Sequence, residues 1–513
     1  MGSTDLFAES LSNLTINIQI IKVLVNCKNL KLGLYTYNVY NPNSLLAMSI
    51  ISTAIIKPKL PAETFHKKVD SYHIITHPLK PSWMVVNDFG WEILKLCNGK
   101  HSVSDIMHTV KSRYTVPEEI IIRDINQFMA SVEKSGFLSE GISTDGSSCS
   151  IKSVFLHLTD KCNLLCKHCY AKNMSARGRE LTDKEIASFL EKFYAAGGRA
   201  VVLSGGEPLL RNNFKKIFQI NPTAEFILLT NATLIDDDWA AFLSQFNVSI
   251  QVSMDGSAAE IHDSIRGKGS FAAAMAGLEH LKRRGLQKRV NLCTTIMRQN
   301  LNDLPNILNL ARSTGISFVR FLPLRKKGNA QHNWDDIQSG VTAKDYEKFF
   351  SYALHEAMDQ YPDLDIRCGL TGYILDSRKL MNDGCWCPIG KNIVVDTIGN
   401  IYPCSLFMDE QFKLGNIRDN SINDIQSNPV LNELVLAREK RKTKTERCCR
   451  CMWRNFCQGS CMGVVLEQHG TIWETDEFCD FRIALYEQSV IKLAEEKNLH
   501  PRKNIGDTTS ECY

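Results

Sequence analysis

The sequence has little net charge, no long apolar run and no secretory leader, and each absence excludes a class of protein. Lys and Arg number 60 against 56 Asp and Glu, and a net charge of +4 over 513 residues is too weak to indicate a nucleic acid as the main partner. The start, MGSTDLFAES, lacks a basic stretch followed by an apolar one, which predicts a cytoplasmic protein with reduced thiols. The most apolar early segment, residues 45–56, is too short to cross a bilayer, so we expect no membrane span.

Cysteine, by contrast, is abundant, and its distribution indicates metal ligands. The chain has 18 cysteines, most of them in two groups with short internal spacings. Because reduced, clustered cysteines favour metal binding over disulfides, both groups are candidate metal sites. The composition is otherwise ordinary for a globular protein, with 44% hydrophobic and 23% charged residues, and the length predicts about three domains.

The pattern along the chain predicts six segments. Residues 1–70 alternate apolar and polar positions in places, such as residues 14–25, which hints at strands in an extension of open role. Residues 71–142 show short strands followed by three helical runs, as in a small winged-helix domain. Residues 150–340 repeat a strand–helix unit six times, which predicts a parallel sheet with helices outside, either an open barrel or a doubly wound sheet. A bridging region (341–383), a cysteine-rich region (384–490) and a polar tail (491–513) follow.

Three cysteines follow the first strand of the repeating region. Cys162, Cys166 and Cys169 form a C-x3-C-x2-C loop in the segment LTDKCNLLCKHCYA. A 4Fe–4S cluster usually takes four thiolates, but the nearest other cysteine, Cys149, lies at the opposite end of the strand, so the fourth iron is left open. An open iron can chelate S-adenosylmethionine (SAM), whose sulfonium bond is cleaved by one electron to give a 5′-deoxyadenosyl radical. The alternative, a zinc knuckle, would need a fourth ligand nearby.

With this loop and a second motif, residues 150–340 resemble the radical SAM superfamily, which implies a partial (β/α)6 TIM-like barrel. The second strand ends in Ser204-Gly205-Gly206-Glu207-Pro208. By this resemblance the glycine pair lets the backbone approach the methionine amino group of SAM, while Glu207 and Tyr170 border the site. The segment VSMDG places Ser253 and Asp255 as ribose or substrate contacts, and Ile261-His262-x3-Arg266-Gly267 follows as in peptide-modifying members. A capped turn is the structural alternative for Ser253 and Asp255.

The second cysteine group matches the seven-cysteine SPASM pattern in every spacing. By this resemblance the first auxiliary 4Fe–4S cluster takes Cys387, Cys404 and Cys461, and the second takes Cys448, Cys451, Cys457 and Cys479. The first cluster is then one ligand short. Cys385 could close it, whereas Cys449, inside the C-x2-C turn, is less suited; without Cys385 an iron is free to bind a substrate thiolate. A zinc ribbon is the alternative, since C-x2-C pairs also suit tetrahedral zinc.

The N-terminal part carries a third resemblance. The stretch NDFGWEILKLCNGKHSVSDIM, with Asp124 and the closing GFL at 136–138, resembles the PqqD-like domain that captures the leader of a precursor peptide. A domain of this kind offers a strand edge to which an extended peptide adds through main-chain hydrogen bonds. A DNA-binding winged helix is the alternative, but these helices lack a basic face.

Together, residues 72–490 resemble the sactisynthases, the subtilosin-type maturases. The resemblance implies three 4Fe–4S clusters, SAM, a precursor peptide bound through its leader, and a flavodoxin- or ferredoxin-type electron donor. The implied reaction joins a cysteine sulfur of the precursor to the α-carbon of another residue during bacteriocin maturation. The same radical chemistry could give a thioether to the β- or γ-carbon, a carbon–carbon crosslink or epimerisation. A sulfatase-maturing type of oxidase would leave the leader-binding domain without a purpose, and a zinc-bearing, peptide-binding chaperone is the alternative from another class.

The basic run at 438–447 either contacts an acidic leader or is a solvated helix end.

Overall fold

Two β-sheets organise the part of the chain that the structure describes. The computed structural model describes residues 23–27, 30–37, 57–113, 117–138, 149–170, 178–369 and 387–498. A five-stranded sheet belongs to the N-terminal region, and a ten-stranded sheet runs through the central and C-terminal regions. The mixed α/β architecture and the parallel central sheet confirm the predicted fold class.

The five-stranded sheet is antiparallel throughout, with the order β1-β2-β5-β4-β3. Its strands are β1 (Val23–Cys27), β2 (Leu30–Tyr37), β3 (Phe65–Val69), β4 (Tyr72–Thr76) and β5 (Trp83–Val86). Three of them come from the first 70 residues, so the sheet extends beyond the segment predicted to begin at residue 71. Within the described residues, β2 covers one edge of β5, and β1 and β3 are the two edge strands. The predicted buried element at 45–56 lies outside the described residues.

Three helices pack on one face of this sheet, close to where the sequence predicts them. They are α1 (Asp88–Leu96), α2 (Val103–Lys111) and α3 (Glu118–Lys134). Asn87 caps α1 by accepting a hydrogen bond from the Gly90 amide, and Ser102 and Asp105 form a capping box at the start of α2. Ile75, Met84 and Val86 point from the sheet into the core beneath these helices.

The central region is an open barrel of six parallel strands. These are β6 (Ser153–His157), β7 (Ala200–Ser204), β8 (Glu225–Thr230), β9 (Val248–Ser253), β10 (Val290–Ile296) and β11 (Phe318–Pro323). Their order in the sheet follows the order of the chain, which identifies the barrel and excludes the doubly wound alternative. The predicted capping box of Thr182 and Glu185 is present at the start of the first outer helix. The helices between the strands are α4 (Asp183–Ala195), α5 (Lys215–Ile220), α6 (Asp237–Leu243), α7 (Ala259–Arg266), α8 (Ser270–Arg283) and α9 (Leu304–Thr314).

Short strands from later segments extend this sheet on both sides. After α10 (Asn329–His332), α11 (Trp334–Gln338), α12 (Ala343–Tyr352) and α13 (Met358–Gln360), strand β12 (Asp365–Cys368) pairs with β11. On the other side, β13 (Asn392–Val395) pairs in parallel with β6 and is followed by β14 (Asn400–Tyr402) and β15 (Gly415–Asn416). The bridging and cysteine-rich segments therefore share the barrel sheet, a long-range pairing that the sequence pattern did not predict.

The C-terminal region is helical. Its helices are α14 (Ile422–Gln426), α15 (Pro429–Lys444), α16 (Glu446–Cys449), α17 (Arg454–Cys457), α18 (Met462–His469) and α19 (Cys479–Asn498). Helix α19 buries Val490, Leu493 and Ala494, so residues 491–498 belong to a packed helix and not to the predicted polar tail. Among the helices of the described residues, none combines the length and apolarity that a bilayer crossing needs.

The basic run at 438–447 is only partly solvated, which corrects the expectation of a solvated helix end. Arg438 and Arg441 are buried, and Arg441 is 0% exposed. The Arg438 guanidinium donates to the Ile389 carbonyl at 2.9 Å. Arg441 donates to the carbonyls of Ser460 and Glu474, at 2.8 and 3.0 Å. These two arginines therefore satisfy backbone carbonyls of the cysteine-rich region.

Candidate active site

The three cysteines predicted to hold the catalytic cluster lie in the loop that leaves the carboxyl end of β6. Cys162 is exposed, Cys169 is half-buried and Cys166 is buried. Burial raises the pKa of Cys166 to about 11, an effect that the neighbouring Arg266 guanidinium opposes. The three thiols lie close enough to interact electrostatically, since Cys162 and Cys169 each raise the pKa of Cys166 further. One loop thus presents three soft sulfur donors close together, which fits a cubane cluster.

Two asparagines, which the sequence motifs did not indicate, fix the backbone of this loop. Asn329 Nδ2 donates to the Cys166 carbonyl at 3.1 Å, and the Asn329 amide donates to the Cys169 carbonyl at 2.8 Å. Asn333 Nδ2 donates to the Lys167 carbonyl at 3.0 Å. Both asparagines lie just after β11, far from the loop along the chain, so no local spacing could have predicted their role.

The glycine pair at the end of β7 lies directly against the start of the cysteine loop. A Cβ at Gly206 would be 2.3 Å from the Lys161 carbonyl oxygen, and one at Gly205 would be 2.5 Å from the Thr159 carbonyl oxygen. Gly205 also has a φ of 138°, which a residue with a side chain rarely adopts. The Gly206 amide donates to the Thr159 carbonyl at 2.7 Å. Glycine is therefore required here for close packing of two backbone segments.

Glu207, which follows the glycines, is buried beneath the same edge of the barrel. It is 1% exposed, and its carboxylate accepts hydrogen bonds from the Thr230 hydroxyl at 2.7 Å and the Asn231 amide at 2.9 Å. Burial raises the pKa of Glu207 to about 7, although these hydrogen bonds lower it. Glu207 thus joins the ends of β7 and β8 beside the cysteine loop.

Asp255 and Arg266 form a buried ion pair next to Cys166. Arg266 Nε donates to Asp255 Oδ2 at 2.6 Å, and Arg266 Nη1 lies 3.9 Å from Cys166 Sγ. The second carboxylate oxygen of Asp255 accepts a hydrogen bond from the Thr295 amide at 2.8 Å. Burial raises the pKa of Asp255, but the Arg266 guanidinium and His168 outweigh this effect and hold it below its usual range. Protein groups engage both oxygens of this carboxylate, so the ribose contact of Asp255 stays a prediction.

Tyr170 and Ser253 lie at the mouth and on the wall of the barrel. Tyr170 is 36% exposed, and its hydroxyl hydrogen-bonds Ser204. Ser253 is half-buried at the end of β9, where it pairs with Cys293 of β10. Cys293 is buried, and burial raises its pKa to about 11. Tyr170 directly follows Cys169 in the cysteine loop, and the contact of Ser253 with a cofactor or peptide stays a prediction.

The first auxiliary group is brought together from three distant parts of the C-terminal region. Cys387 and Cys461 both raise the pKa of Cys404, whose burial is the largest cause of its high value, so the three thiols are close neighbours. Cys404 is buried, Cys387 is half-buried and Cys461 is exposed. Cys385 lies outside the described residues. The three donors fit one cluster with one side open to solvent.

The second auxiliary group surrounds a partly open cavity of about 360 Å³, a volume that includes space open to solvent. All four predicted ligands line it: Cys448, Cys451, Cys457 and Cys479. Burial raises the pKa of Cys451 to about 11 and that of Cys448 to about 12, so a bound metal would have to displace protons from buried thiols. Four thiols around one cavity fit a cubane. Cys449 is not among the lining residues and instead donates to the Glu446 carbonyl at 3.0 Å.

Arginines surround this cavity; Arg447 belongs to the basic run at 438–447, but no motif indicated Arg454 or Arg482. Arg447, Arg454 and Arg482 line it together with the four cysteines. Arg482 is 3% exposed, is paired with Asp476 at 2.5 and 2.9 Å, and hydrogen-bonds the Cys457 sulfur. Positive charge and N–H donors near thiolate ligands stabilise the added electron of a reduced cluster.

In the described residues no three Cys, His, Asp or Glu side chains converge closely enough to hold a single metal ion.

Comparison with known families defines the class of the protein. The profile of the radical SAM superfamily matches residues 156–311, that of coenzyme PQQ synthesis protein D (PqqD) matches 72–138, and that of the SPASM iron-sulfur cluster-binding domain matches 385–452. The chain therefore carries radical SAM, PqqD and SPASM domains. The first and third domains imply SAM and 4Fe–4S clusters, and the PqqD domain implies a precursor peptide.

Individual relatives differ in what they make. The mycofactocin maturase MftC of Mycolicibacterium smegmatis is 28% identical over 60% of this chain and 77% of its own. The antilisterial bacteriocin subtilosin biosynthesis protein AlbA of Bacillus subtilis is 25% identical over 59% of this chain and 65% of its own. An AdoMet-dependent heme synthase of Methanosarcina barkeri is 26% identical over 63% of this chain and 95% of its own.

Solved structures share the fold. The structure of anSMEcpe with bound AdoMet has a TM-score of 0.55 at 22% identity and covers 69% of this chain and 97% of its own. Streptococcus suis SuiB bound to S-adenosylmethionine has a TM-score of 0.54 at 14% identity and covers 82% of this chain and 99% of its own. The chain therefore shares its fold with solved structures that were determined with S-adenosylmethionine bound.

Proposed function

We propose that the protein installs sulfur-to-α-carbon thioether crosslinks in a ribosomally made precursor peptide, as a step of bacteriocin maturation. The observation that carries this proposal is the gathering of three separate sets of thiols, one at the carboxyl edge of the barrel and two in the cysteine-rich region. The relationship to AlbA, whose name assigns it to subtilosin biosynthesis, favours the thioether product.

Three 4Fe–4S clusters are held by separate ligand sets in this proposal. Cys162, Cys166 and Cys169 hold the catalytic cluster and leave one iron open for SAM. Cys448, Cys451, Cys457 and Cys479 close the second auxiliary cluster. Cys387, Cys404 and Cys461 hold the first, with Cys385 as the candidate for its fourth ligand. When bound, the catalytic cluster and SAM supply one-electron cleavage of the sulfonium bond and hydrogen-atom abstraction from the peptide.

Residues of the barrel orient these groups. Gly205 and Gly206 keep the β7 backbone against the cysteine loop, so the SAM amino group can approach main-chain atoms there. Glu207 and Tyr170 border this position, and Ser253 faces the barrel interior as a ribose or substrate contact. The buried Arg266 places a positive charge next to Cys166 and favours its thiolate form. Fixing the peptide beside this centre is what makes so reactive a step selective.

The exposed edge of the first auxiliary group supports a role for substrate sulfur. Cys461 is exposed, whereas in the second group Cys448 is buried and the other three ligands are half-buried. A peptide thiolate would therefore have more direct access to the first group. The PqqD domain supplies the sheet to which the precursor leader adds as a further strand. We also propose a flavodoxin- or ferredoxin-type electron donor and a cytoplasmic location, since the clusters need reducing conditions.

Anaerobic reconstitution with iron and sulfide, followed by SAM and dithionite, tests the enzyme. We expect the brown cubane chromophore and formation of 5′-deoxyadenosine. Cys166→Ala should abolish 5′-deoxyadenosine formation and only weaken the chromophore, because the two auxiliary clusters keep their ligands. A protein that binds zinc and forms no 5′-deoxyadenosine would instead be a non-catalytic peptide-binding chaperone. Cys97→Ala is a suitable control, because Cys97 is buried in the N-terminal domain, away from all three cysteine groups.

Mass spectrometry of the treated precursor tests the product. The proposal predicts a short, cysteine-rich precursor peptide, and the test substrate is such a peptide prepared with deuterium at the α-carbons of its non-cysteine residues. A loss of two hydrogens per crosslink, with deuterium appearing in 5′-deoxyadenosine, supports the α-thioether. Deuterium retained in the peptide points to a β- or γ-thioether, an intact cysteine thiol points to a carbon–carbon crosslink, and an unchanged hydrogen count points to epimerisation.

A further inference from the structure

The peptide-binding sheet is packed directly against the cysteine-rich domain. The face of the sheet opposite its own helices carries Ile74, Trp83 and Val85, which share one apolar core with Trp453 and Tyr486. Trp453 is 0% exposed and stacks on Tyr486, with ring centroids 5.2 Å apart. Since Trp453 lies between the predicted ligands Cys451 and Cys457, the sheet packs on a residue whose position depends on the ligand loop.

Three consecutive residues at the end of β4 are also hydrogen-bonded to that loop. The Thr76 hydroxyl donates to the Met452 carbonyl at 2.8 Å. Asn455 Nδ2 donates to the His77 carbonyl at 3.0 Å, and Arg454 Nη2 donates to the Pro78 carbonyl at 2.9 Å. We name residues 76–78 together with residues 452–455 the latch. All of its bonds from the cysteine-rich side come from the stretch between Cys451 and Cys457.

Arg454 connects the latch to the cavity of the second auxiliary group. Its guanidinium lies over the Phe65 ring of β3, 4.9 Å from the centroid, and its Nη1 donates to the Cys449 carbonyl at 2.6 Å. The same side chain lines the cavity formed by the four cysteines. One planar group therefore touches β3, the turn that follows β4 and the backbone of the C-x2-C turn, a geometry that the fork of arginine allows and lysine does not.

We infer that assembly of the second auxiliary cluster fixes the peptide-binding sheet through the latch, with Arg454 as the positioning residue. This inference rests on the second cluster of the proposed function. Four ligands spread over residues 448–479 are held at fixed separations once they share a cluster, and the stretch 452–455 between two of them is ordered with it. The sheet that receives the leader then has one orientation toward the barrel. The protein presents its peptide site only when the cluster has been built.

Hydrogen exchange of the full chain, measured by mass spectrometry with and without the cluster, tests this inference. Cys451→Ala should lose the cluster, and amides in residues 72–86 should exchange about tenfold faster. Cys449→Ala is the matched control, because Cys449 is two positions from Cys451 and does not line the cavity. Arg454→Gln, which keeps all ligands, should retain its iron but also speed exchange in residues 72–86. Arg454→Lys should restore only part of the protection, and Arg450→Gln, which changes an exposed arginine, should change nothing.

The outcomes separate the latch from the cluster itself. Iron loss in Cys451→Ala with unchanged exchange in residues 72–86 would overturn the latch. Unchanged amide exchange of residues 72–86 in Arg454→Gln would also overturn the latch. If Cys451→Ala unfolds, the result for Arg454→Gln is the one that tests the inference. If Cys451→Ala keeps its full iron content, the second cluster of the proposed function is wrong. Amide exchange in Arg454→Gln then shows only whether the Arg454 contacts hold the sheet in place. Faster exchange in Arg454→Gln that is confined to residues 72–86 and 449–457 supports the inference.

Discussion

Arg266 Nε donates a hydrogen bond to Asp255 Oδ2 across 2.6 Å, and the same guanidinium approaches Cys166 Sγ at 3.9 Å. Asp255 is 0% exposed and Arg266 is 8% exposed, so neither charge is solvated by bulk water. Each charge therefore depends on the other, and the pair joins the end of β9 to α7 directly beneath the cysteine loop.

Removing only the arginine should destabilise the barrel strongly. Arg266→Met leaves the Asp255 carboxylate buried without its cation, and we expect the free energy of unfolding to fall by about 3–5 kcal/mol. The double variant Arg266→Met/Asp255→Asn should lose less, because no uncompensated charge stays buried. Urea denaturation followed by circular dichroism measures both. Equal losses in the single and double variants would show that packing, and not charge pairing, is what the arginine contributes.

Gly206→Ala should disrupt the cysteine loop. The added Cβ would lie 2.3 Å from the Lys161 carbonyl oxygen, so the loop carrying Cys162 must move away from β7. We expect loss of the catalytic cluster, measured as a fall of about four irons per reconstituted chain. Gly285→Ala is the control, since its φ of 72° makes it strained although nothing lies near its Cβ. If both variants keep the same iron content, the contact with Lys161 is not required.

Cys451→Ala and Cys449→Ala should differ sharply although the residues are two positions apart. Cys451 lines the cavity of the second group, whereas Cys449 points to the Glu446 carbonyl. We expect about four irons per chain to be lost from the first variant and none from the second. Iron and sulfide analysis after anaerobic reconstitution measures this. Loss of iron from Cys449→Ala would show that Cys449 is a cluster ligand, contrary to the assignment made from the SPASM spacing.

Buried histidines should make the protein sensitive to mild acid. Burial lowers the pKa of His157 to about 4, whereas an unfolded histidine titrates near 6.5. Between these values the unfolded state binds the proton first, so the free energy of unfolding falls as the pH decreases, by about 1.4 kcal/mol per pH unit for one such group. His157→Gln should reduce this slope between pH 6.5 and 4. His332→Gln, at an exposed position, is the control, and an equal slope in wild type and His157→Gln would contradict the prediction.

Much of the site could be predicted because its motifs are local. The C-x3-C-x2-C loop, the glycine pair and the SPASM spacings are read within short stretches, and thiol chemistry limits what they can bind. The barrel strands were predictable for the same reason, since each is a short apolar run next to an amphipathic helix. The ion pair of Asp255 and Arg266 was not recognised: both residues were identified, but their contact depends on how α7 packs.

The sequence by itself determined the strand–helix order of the barrel and the capping box of Thr182 and Glu185, because these depend on neighbours within a few residues. Only the tertiary structure decided that β13 joins the barrel beside β6, that Arg438 and Arg441 turn inward to backbone carbonyls, and that residues 76–78 bind residues 452–455. These contacts join segments far apart along the chain. The spacing of residues along the chain does not predict such pairings. They form only when whole elements pack together and bury polar groups, which must then find hydrogen-bond partners.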